Sequence, residues 1–113
     1  MRAADVHENL AHLSRELASL LMDYEAANFA RAEAEMAWKS ANADAYLKAE
    51  GNLETRKQTA ILATAELARE AELAAVVFDN TRTALRVLAQ RLDAGRTIAS
   101  TIRAEAIATG VGV

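Results

Sequence analysis

Only one glycine, Gly51, interrupts the first 94 residues, and the chain contains no proline. Because glycine and proline are the residues that most often end a helix, the pair Gly51-Asn52 is the one clear place for a turn. The chain on either side is almost equally long. The sequence therefore predicts an all-α, single-domain protein over residues 1–106, with one arm at about 3–50, a turn at about 51–53 and a second arm at about 54–106. Residues 107–113, which hold two glycines, should form a flexible tail.

Both arms carry apolar residues at alternating spacings of three and four, which is the heptad pattern of packed helices. In the first arm this row is Val6, Leu10, Leu13, Leu17, Leu20, Tyr24, Ala27, Ala34, Trp38, Ala41 and Ala45. In the second arm it is Leu53, Lys57, Ala60, Thr64, Leu67, Ala71, Ala74, Phe78, Thr81, Leu85, Leu88, Leu92, Gly95, Ala99 and Ile102. We predict a long antiparallel, coiled-coil-like hairpin in which facing residue numbers sum to 105, so that Leu10 faces Gly95 and Leu13 faces Leu92.

Two residues break this pattern. Arg31 occupies a core position of the first arm, where either its stem covers small neighbours while its head reaches water, or it pairs with Glu70 or Glu35 and fixes the register. Gly95 lies in the second arm, where a helical glycine costs about 1 kcal/mol relative to alanine. Because Ile98 and Ile102 continue the apolar spacing, we expect the helix to run through Gly95, with or without a kink.

The core between the arms should be thin, because 28 of the 113 residues are alanine and only 4% are aromatic. We call the contact between the apolar rows of the two arms the seam. Several large apolar residues lie outside it. The predicted oligomer interface consists of Met22, Phe29, Met36, Leu73, Val76 and Val77. These residues favour self-association into a four-helix or larger bundle, with a dimer of hairpins as its simplest form, and the alternative is a different partner protein.

Composition argues against several functional classes. Without cysteine the chain has no disulfide and no thiolate metal site, and it has no apolar run long enough to cross a membrane. The N-terminal MRAADVHENL carries acids where a signal peptide is apolar, so we expect a cytoplasmic protein. His7, Glu8, His12 and Glu16 do not have the HExxH spacing of a zinc site, and nucleophile, phosphate-loop and nicotinamide motifs are missing. We therefore expect no enzymatic activity, no cofactor and no metal.

The end of the second arm is rich in arginine. Arg82, Arg86, Arg91, Arg96 and Arg103 are the candidate nucleic-acid contacts. Residues 5–25 of the first arm contribute five acids to the same end of the hairpin, and Glu16 should lie near Arg91. Two interpretations stay open: the charges balance within the molecule, or the arginines bind nucleic acid weakly and in a salt-sensitive manner.

The segments AYLKAEGNLETRKQTA and TRTALRVLAQRLDAGRTIASTIRAE place an aromatic or aliphatic pair, a glycine, an arginine-lysine pair and a leucine-arginine heptad in succession. Over Ala45–Glu105 this pattern resembles small all-helical accessory proteins of tailed phages of actinobacteria. The resemblance implies a phage protein acting in the host cytoplasm, in some cases beside recombination or replication genes. The leading hypothesis is a homo-oligomeric scaffold or adaptor that binds a host or phage protein, and the alternative is an accessory nucleic-acid-binding protein that uses the second arm.

Overall fold

The computed structural model describes residues 2–110, and over this range α-helix is the only regular secondary structure. Helix α1 spans Ala3–Lys48, α2 spans Leu53–Ala63 and α3 spans Ala65–Ala108. The predicted all-α class and antiparallel helical hairpin are confirmed. Of the predicted tail, Ile107 and Ala108 belong to α3, Thr109 and Gly110 form a turn, and residues 111–113 lie outside the described range. No helix within residues 2–110 is both long enough and apolar enough to cross a membrane.

The turn between α1 and α2 is closed by three side-chain and backbone features. Gly51 has a φ of 107°, which a residue with a side chain rarely adopts. Asn52 caps α2, because its side-chain oxygen accepts a hydrogen bond from the Thr55 backbone N–H at 2.8 Å. The Arg56 guanidinium donates hydrogen bonds to the Tyr46 carbonyl at 3.2 and 3.3 Å and lies 4.5 Å from the centre of the Tyr46 ring. Arg56 thus supplies a partner for a carbonyl near the end of α1.

The sequence predicts a single helix for the second arm, but in the structure Thr64 divides this arm into α2 and α3. Its backbone has φ −114° and ψ 13°, and its hydroxyl donates a 2.8 Å hydrogen bond to the Ala60 carbonyl, which also accepts the Thr64 N–H at 3.1 Å. Thr59, Thr81, Thr97 and Thr101 make the same bond within continuous helices, so the bond alone does not interrupt the arm. Thr64 differs from them in being buried, with its hydroxyl oxygen 3.5 Å from the Asn42 side-chain oxygen of α1.

The described residues form two compact units. Unit 1 combines α1 up to Asp23 with α3 from Arg82 onward, and unit 2 is Tyr24–Thr81. In unit 1 the core is a cluster of Leu13, Leu88 and Leu92, with Leu10, Leu17 and Leu20 packed against it, while Val6 and Ala99 are also buried. In unit 2 the buried residues are all small: Ala27, Ala60 and Thr64.

The register of unit 1 follows from the contact between Leu10 and Gly95. A Cβ atom added to Gly95 would lie 2.7 Å from Leu10 Cδ2, closer than real Cβ atoms approach other heavy atoms. This contact confirms the predicted pairing, and α3 continues through Gly95. In unit 2, Phe78 lies between Tyr24, whose ring centre is 5.2 Å away, and Arg31, whose guanidinium carbon is 5.1 Å from the Phe78 ring. That placement agrees with the same sum of 105.

Beside the turn, two residues that the sequence pattern placed in the seam are not buried. Leu53 and Lys57, both assigned to core positions, are exposed. Leu53 is the first residue of α2, where the helix has only begun, and the half-buried side chain packed on Tyr46 is that of Arg56.

We expect Gly95→Ala to reveal this close approach in a double-mutant cycle with Leu10→Ala. Alanine in place of helical glycine favours the helix by about 1 kcal/mol, but here the added methyl group displaces the Leu10 side chain. The substitution should therefore stabilise the Leu10→Ala protein more than the wild type, by about 1 kcal/mol of coupling in urea unfolding. Equal effects in both backgrounds would contradict the contact.

Candidate interaction surfaces

Each helix of an antiparallel pair has a side that faces its partner, an outer side that faces away, and two shoulders between them. Successive residues of an α-helix are rotated by about 100° about its axis, so the number of positions between a residue and a core residue determines on which side it lies. Because the two helices are antiparallel, residues rotated in the same direction from the core residues of their own helix lie on the same shoulder of the pair. In unit 2 one shoulder contains a groove of about 370 Å³ that residues of both helices line. These residues are Arg31, Glu35, Trp38, Ala68, Ala71, Glu72 and Ala75.

Arg31 lies at the edge of this groove, with a third of its side chain exposed. Its guanidinium donates to Glu35 at 3.3 Å and to Asn28 at 3.0 Å and covers the Phe78 ring, whereas its Nε–H has no hydrogen-bond partner. Of the two alternatives, the charged partner is therefore Glu35 rather than Glu70. Because Glu35 follows Arg31 on the same helix, their ion pair cannot fix the register between helices, and the contact that crosses the seam is the one with Phe78.

Glu35 is bound from two sides. Lys39 Nζ lies 3.0 Å from one carboxylate oxygen, and Arg31 NH1 lies 3.3 Å from the other. The hydrogen bond and charge of Lys39, with a smaller contribution from Arg31, hold the pKa of Glu35 below its ordinary value of 4.5. Glu35 thus stays ionised as pH falls to its ordinary titration range, and protonation at still lower pH removes the stabilisation.

The predicted interface residues are all exposed, between 52% for Leu73 and 73% for Met36. Phe29 lies on the outer side of α1 and Val76 on the outer side of α3. Both are at the same level of the hairpin, since 29 and 76 sum to 105. Ala30 and Val77 lie between them on the shoulder opposite the Arg31 groove, with Leu73 one turn from Val77. We call Phe29, Ala30, Leu73, Val76 and Val77 the apolar surface of unit 2. Met36 lies two turns further along the outer side of α1, and Met22 belongs to unit 1.

The arginines of α3, which all belong to unit 1, divide between its two shoulders. Arg96 and Arg103 follow the core residues Leu92 and Ala99 by four positions, and Arg86 follows Leu85 by one, which turns all three to the same side. Arg82, four residues after Phe78, lies in the same row. We call these four arginines the basic shoulder. Arg91 lies on the other shoulder.

The acids of unit 1 lie mainly on that other shoulder. Glu16, Asp23 and Glu105 follow the core-facing Leu13, Leu20 and Ile102 by three positions, and Asp5 precedes Val6 by one. We call these four acids the acidic shoulder. Within unit 1 the α1 residues that border the basic shoulder are His7, Ala11, Ser14, Ala18 and Leu21, none of which is acidic, and the next residue of this row, Glu25, belongs to unit 2.

The acids of α1 were expected to balance the arginines of α3, with Glu16 near Arg91, but this ion pair does not form. Glu16 pairs with His12 at 3.1 Å rather than with Arg91. Arg96 pairs with Asp93 on its own helix at 3.6 Å, and Arg86, Arg91 and Arg103 make no ion pair with any residue of 2–110. The sequence identified the arginines but not this separation of charge, which could have been found from the rotational sense of each row.

Metal-binding side chains are not gathered anywhere in the described part of the chain: no group of three or more His, Cys, Asp or Glu could hold an ion. His12, which the sequence placed near Glu8 and Glu16, bonds to Glu16 through Nε2. This is an exposed contact one turn apart on a single helix.

We expect Arg31→Met to be at least as stable as the wild type, whereas Arg31→Ala should lose about 1 kcal/mol or more. Methionine keeps the apolar stem against Phe78 and removes the unpartnered Nε–H, and such a buried group costs about 1–3 kcal/mol in the folded state. Urea unfolding of both variants measures the difference. An Arg31→Met protein as unstable as Arg31→Ala would show that the charge, rather than the stem, stabilises the fold.

Comparison of the chain with protein-family models, curated proteins and solved structures returns no match. The resemblance to small helical phage proteins stays a prediction. The apolar surface of unit 2 and the two charged shoulders of unit 1 are the features from which a function can be inferred.

Proposed function

We propose that this protein is a non-enzymatic, homo-oligomeric helical scaffold, in which the apolar surface of unit 2 pairs with the same surface of a second copy. The observation that carries this proposal is the distribution of side-chain size in unit 2. Its fully buried residues are Ala27, Ala60 and Thr64, and the large residues between its helices, Tyr24, Trp38, Leu67 and Phe78, are only half-buried, while Phe29, Leu73 and Val76 are exposed. A hairpin that fully buries only small residues and leaves large apolar side chains in water gains little stability from its own core.

The contrast between the units supports the same conclusion. Nine of the 14 large hydrophobic residues exposed within the described range belong to unit 2: Phe29, Met36, Leu47, Leu53, Ile61, Leu62, Leu73, Val76 and Val77. Long helices gain most of their stability from tertiary packing, and unit 2, whose fully buried residues are all small, gains little from its own packing. Burying a phenylalanine or valine of this surface against a second copy would contribute about 1.5–3 kcal/mol per side chain.

The arrangement of the apolar surface suits a two-fold contact. Ala30 is small and lies at the centre of the shoulder, between Phe29 on one helix and Val77 on the other, so a second hairpin can approach closely there. A two-fold interface uses each contact twice, and two hairpins joined in this way form a four-helix bundle.

The assembled bundle would act as an adaptor by presenting its remaining surface to another protein. The resemblance of Ala45–Glu105 to phage accessory proteins supports a phage-encoded protein in the host cytoplasm and makes a host or phage protein the partner to seek. Capture experiments with the intact oligomer and with its monomeric variant as bait would identify a partner that requires assembly.

Light scattering should give the wild type a mass of at least twice the 12.2 kDa of one chain at micromolar concentration. Phe29→Glu and Val76→Glu should each reduce it to the monomer, because each places a charge in an apolar interface. Leu53→Glu is the matched control: Leu53 is 64% exposed and Phe29 66%, and a carboxylate is favourable at the start of α2. This variant should keep the wild-type mass.

Leu13→Glu separates assembly from folding. Leu13 is buried in the leucine cluster of unit 1, so this variant should lose helical circular dichroism signal, whereas Phe29→Glu should retain much of it. A wild type that is monomeric and well folded at micromolar concentration would overturn the proposal, and so would a Phe29→Glu protein with wild-type mass.

A further inference from the structure

The charges of unit 1 form two complementary rows. The basic shoulder has four arginines, of which Arg96 pairs with Asp93 and Arg82 already has a partner among the described residues, so Arg86 and Arg103 carry its uncompensated charge. The acidic shoulder has four carboxylates, and the cations beside them are Arg2, His12 and Arg91. Asp5, Asp23 and Glu105 make no ion pair with any residue of 2–110. One face of unit 1 is thus positive and the opposite face is negative.

The two rows also match in position along the helices. Leu10 lies level with Gly95, so each α3 residue lies level with the α1 position that brings the sum to 105. Arg82 is then level with Asp23, and Arg86 is level with position 19, three residues from Glu16. Arg96 is level with position 9, four residues from Asp5, and Arg103 lies two residues from Glu105. At a rise of about 1.5 Å per residue, these offsets along the helix axis are about 0, 4.5, 6 and 3 Å, each shorter than an extended arginine side chain.

We propose that the basic shoulder of one copy docks against the acidic shoulder of a second copy, with the two lying side by side and pointing in the same direction. This contact deepens the proposed function and rests on its premise that the protein self-associates. It joins two different surfaces, so each docked copy leaves one shoulder free for the next. The result is a row or ring of copies, in contrast to the closed pair formed through the apolar surface.

A second copy fits the basic shoulder better than nucleic acid does. Each arginine of the row has a carboxylate within about 6 Å along the helix axis on the acidic shoulder of the same sequence, so a second copy offers it a partner of opposite charge at a fixed position. The basic shoulder also offers no aromatic ring other than that of His7 for stacking on a base.

The test uses two double variants of the full chain that reverse one shoulder each. Arg86→Glu with Arg103→Glu makes both shoulders acidic, and Glu16→Arg with Asp23→Arg makes both basic. All four positions are exposed, and circular dichroism confirms that the variants stay helical. Masses are measured by light scattering at about 20 mM and about 0.5 M salt, where charges are weakly and strongly screened, respectively.

We expect the low-salt mass of the wild type to exceed its high-salt mass by about twofold or more, because charge-mediated contacts weaken with salt. Each reversed variant alone should show no such increase, and an equimolar mixture of the two should regain it. Reversed variants that assemble like the wild type, or a mixture that does not assemble, would overturn the proposal.

Failure of this contact can be distinguished from failure of the apolar interface. A high-salt mass of a dimer without a low-salt increase would retain the apolar interface and reject the charged contact. A monomer at high salt that assembles at low salt would do the opposite. If a short DNA duplex binds the wild type but not Arg86→Glu/Arg103→Glu, while the low-salt masses of both proteins are equal, the arginines serve nucleic acid and the proposal is wrong.

Discussion

The small size of the fully buried residues in unit 2 is the constraint on which its surface depends. Alanine forms helices readily but buries little apolar area, so Ala27 in α1 and Ala60 in α2 let the two arms approach without supplying the packing that usually holds two helices. The larger side chains, such as Phe29 and Val76, are placed where the helix turns them outward. Unit 1 solves the same problem differently, because Leu13, Leu88 and Leu92 fill its seam. The two parts of one hairpin therefore differ in what they need from a neighbour.

Most of the fold could be predicted from the sequence because the signals are periodic. The apolar spacing identified all eight buried residues of the described range and most of the half-buried ones, and the Gly51-Asn52 pair located the turn with its Asn52 cap. The pairing of Leu10 with Gly95 followed from adding residue numbers, since an antiparallel hairpin with a short turn has one register. Periodicity could not show the interruption at Thr64, because threonines that make the same back-bond elsewhere leave their helices continuous. Nor could it show that Arg56, rather than Lys57, packs on Tyr46 beside the turn.

The candidate surfaces were predicted less completely, for a related reason. Composition identifies which residues are apolar or charged, but the side of the helix pair on which they lie depends on rotational sense in three dimensions. The arginines of α3 and the acids of α1 were expected to meet because they belong to the same end of the hairpin. Glu16 and Arg91 do share a shoulder, yet Glu16 bonds to His12, and the remaining arginines lie on the opposite face. Proximity along the axis is thus not sufficient for a charge pair.

The contact between Arg56 and Tyr46 joins residues ten positions apart, whereas that between Leu10 and Gly95 joins residues 85 apart. Because closing a loop costs more entropy as the loop lengthens, contacts near Gly51 are the least costly to form first. Each contact then shortens the loop that the next must close, so we expect the hairpin to zip from its turn outward, and rate measurements on Leu88→Ala would test whether the leucine cluster forms late. During synthesis, the first arm emerges before any of its partners exist. Its apolar residues must therefore wait, in water or against another chain, until the second arm has been made.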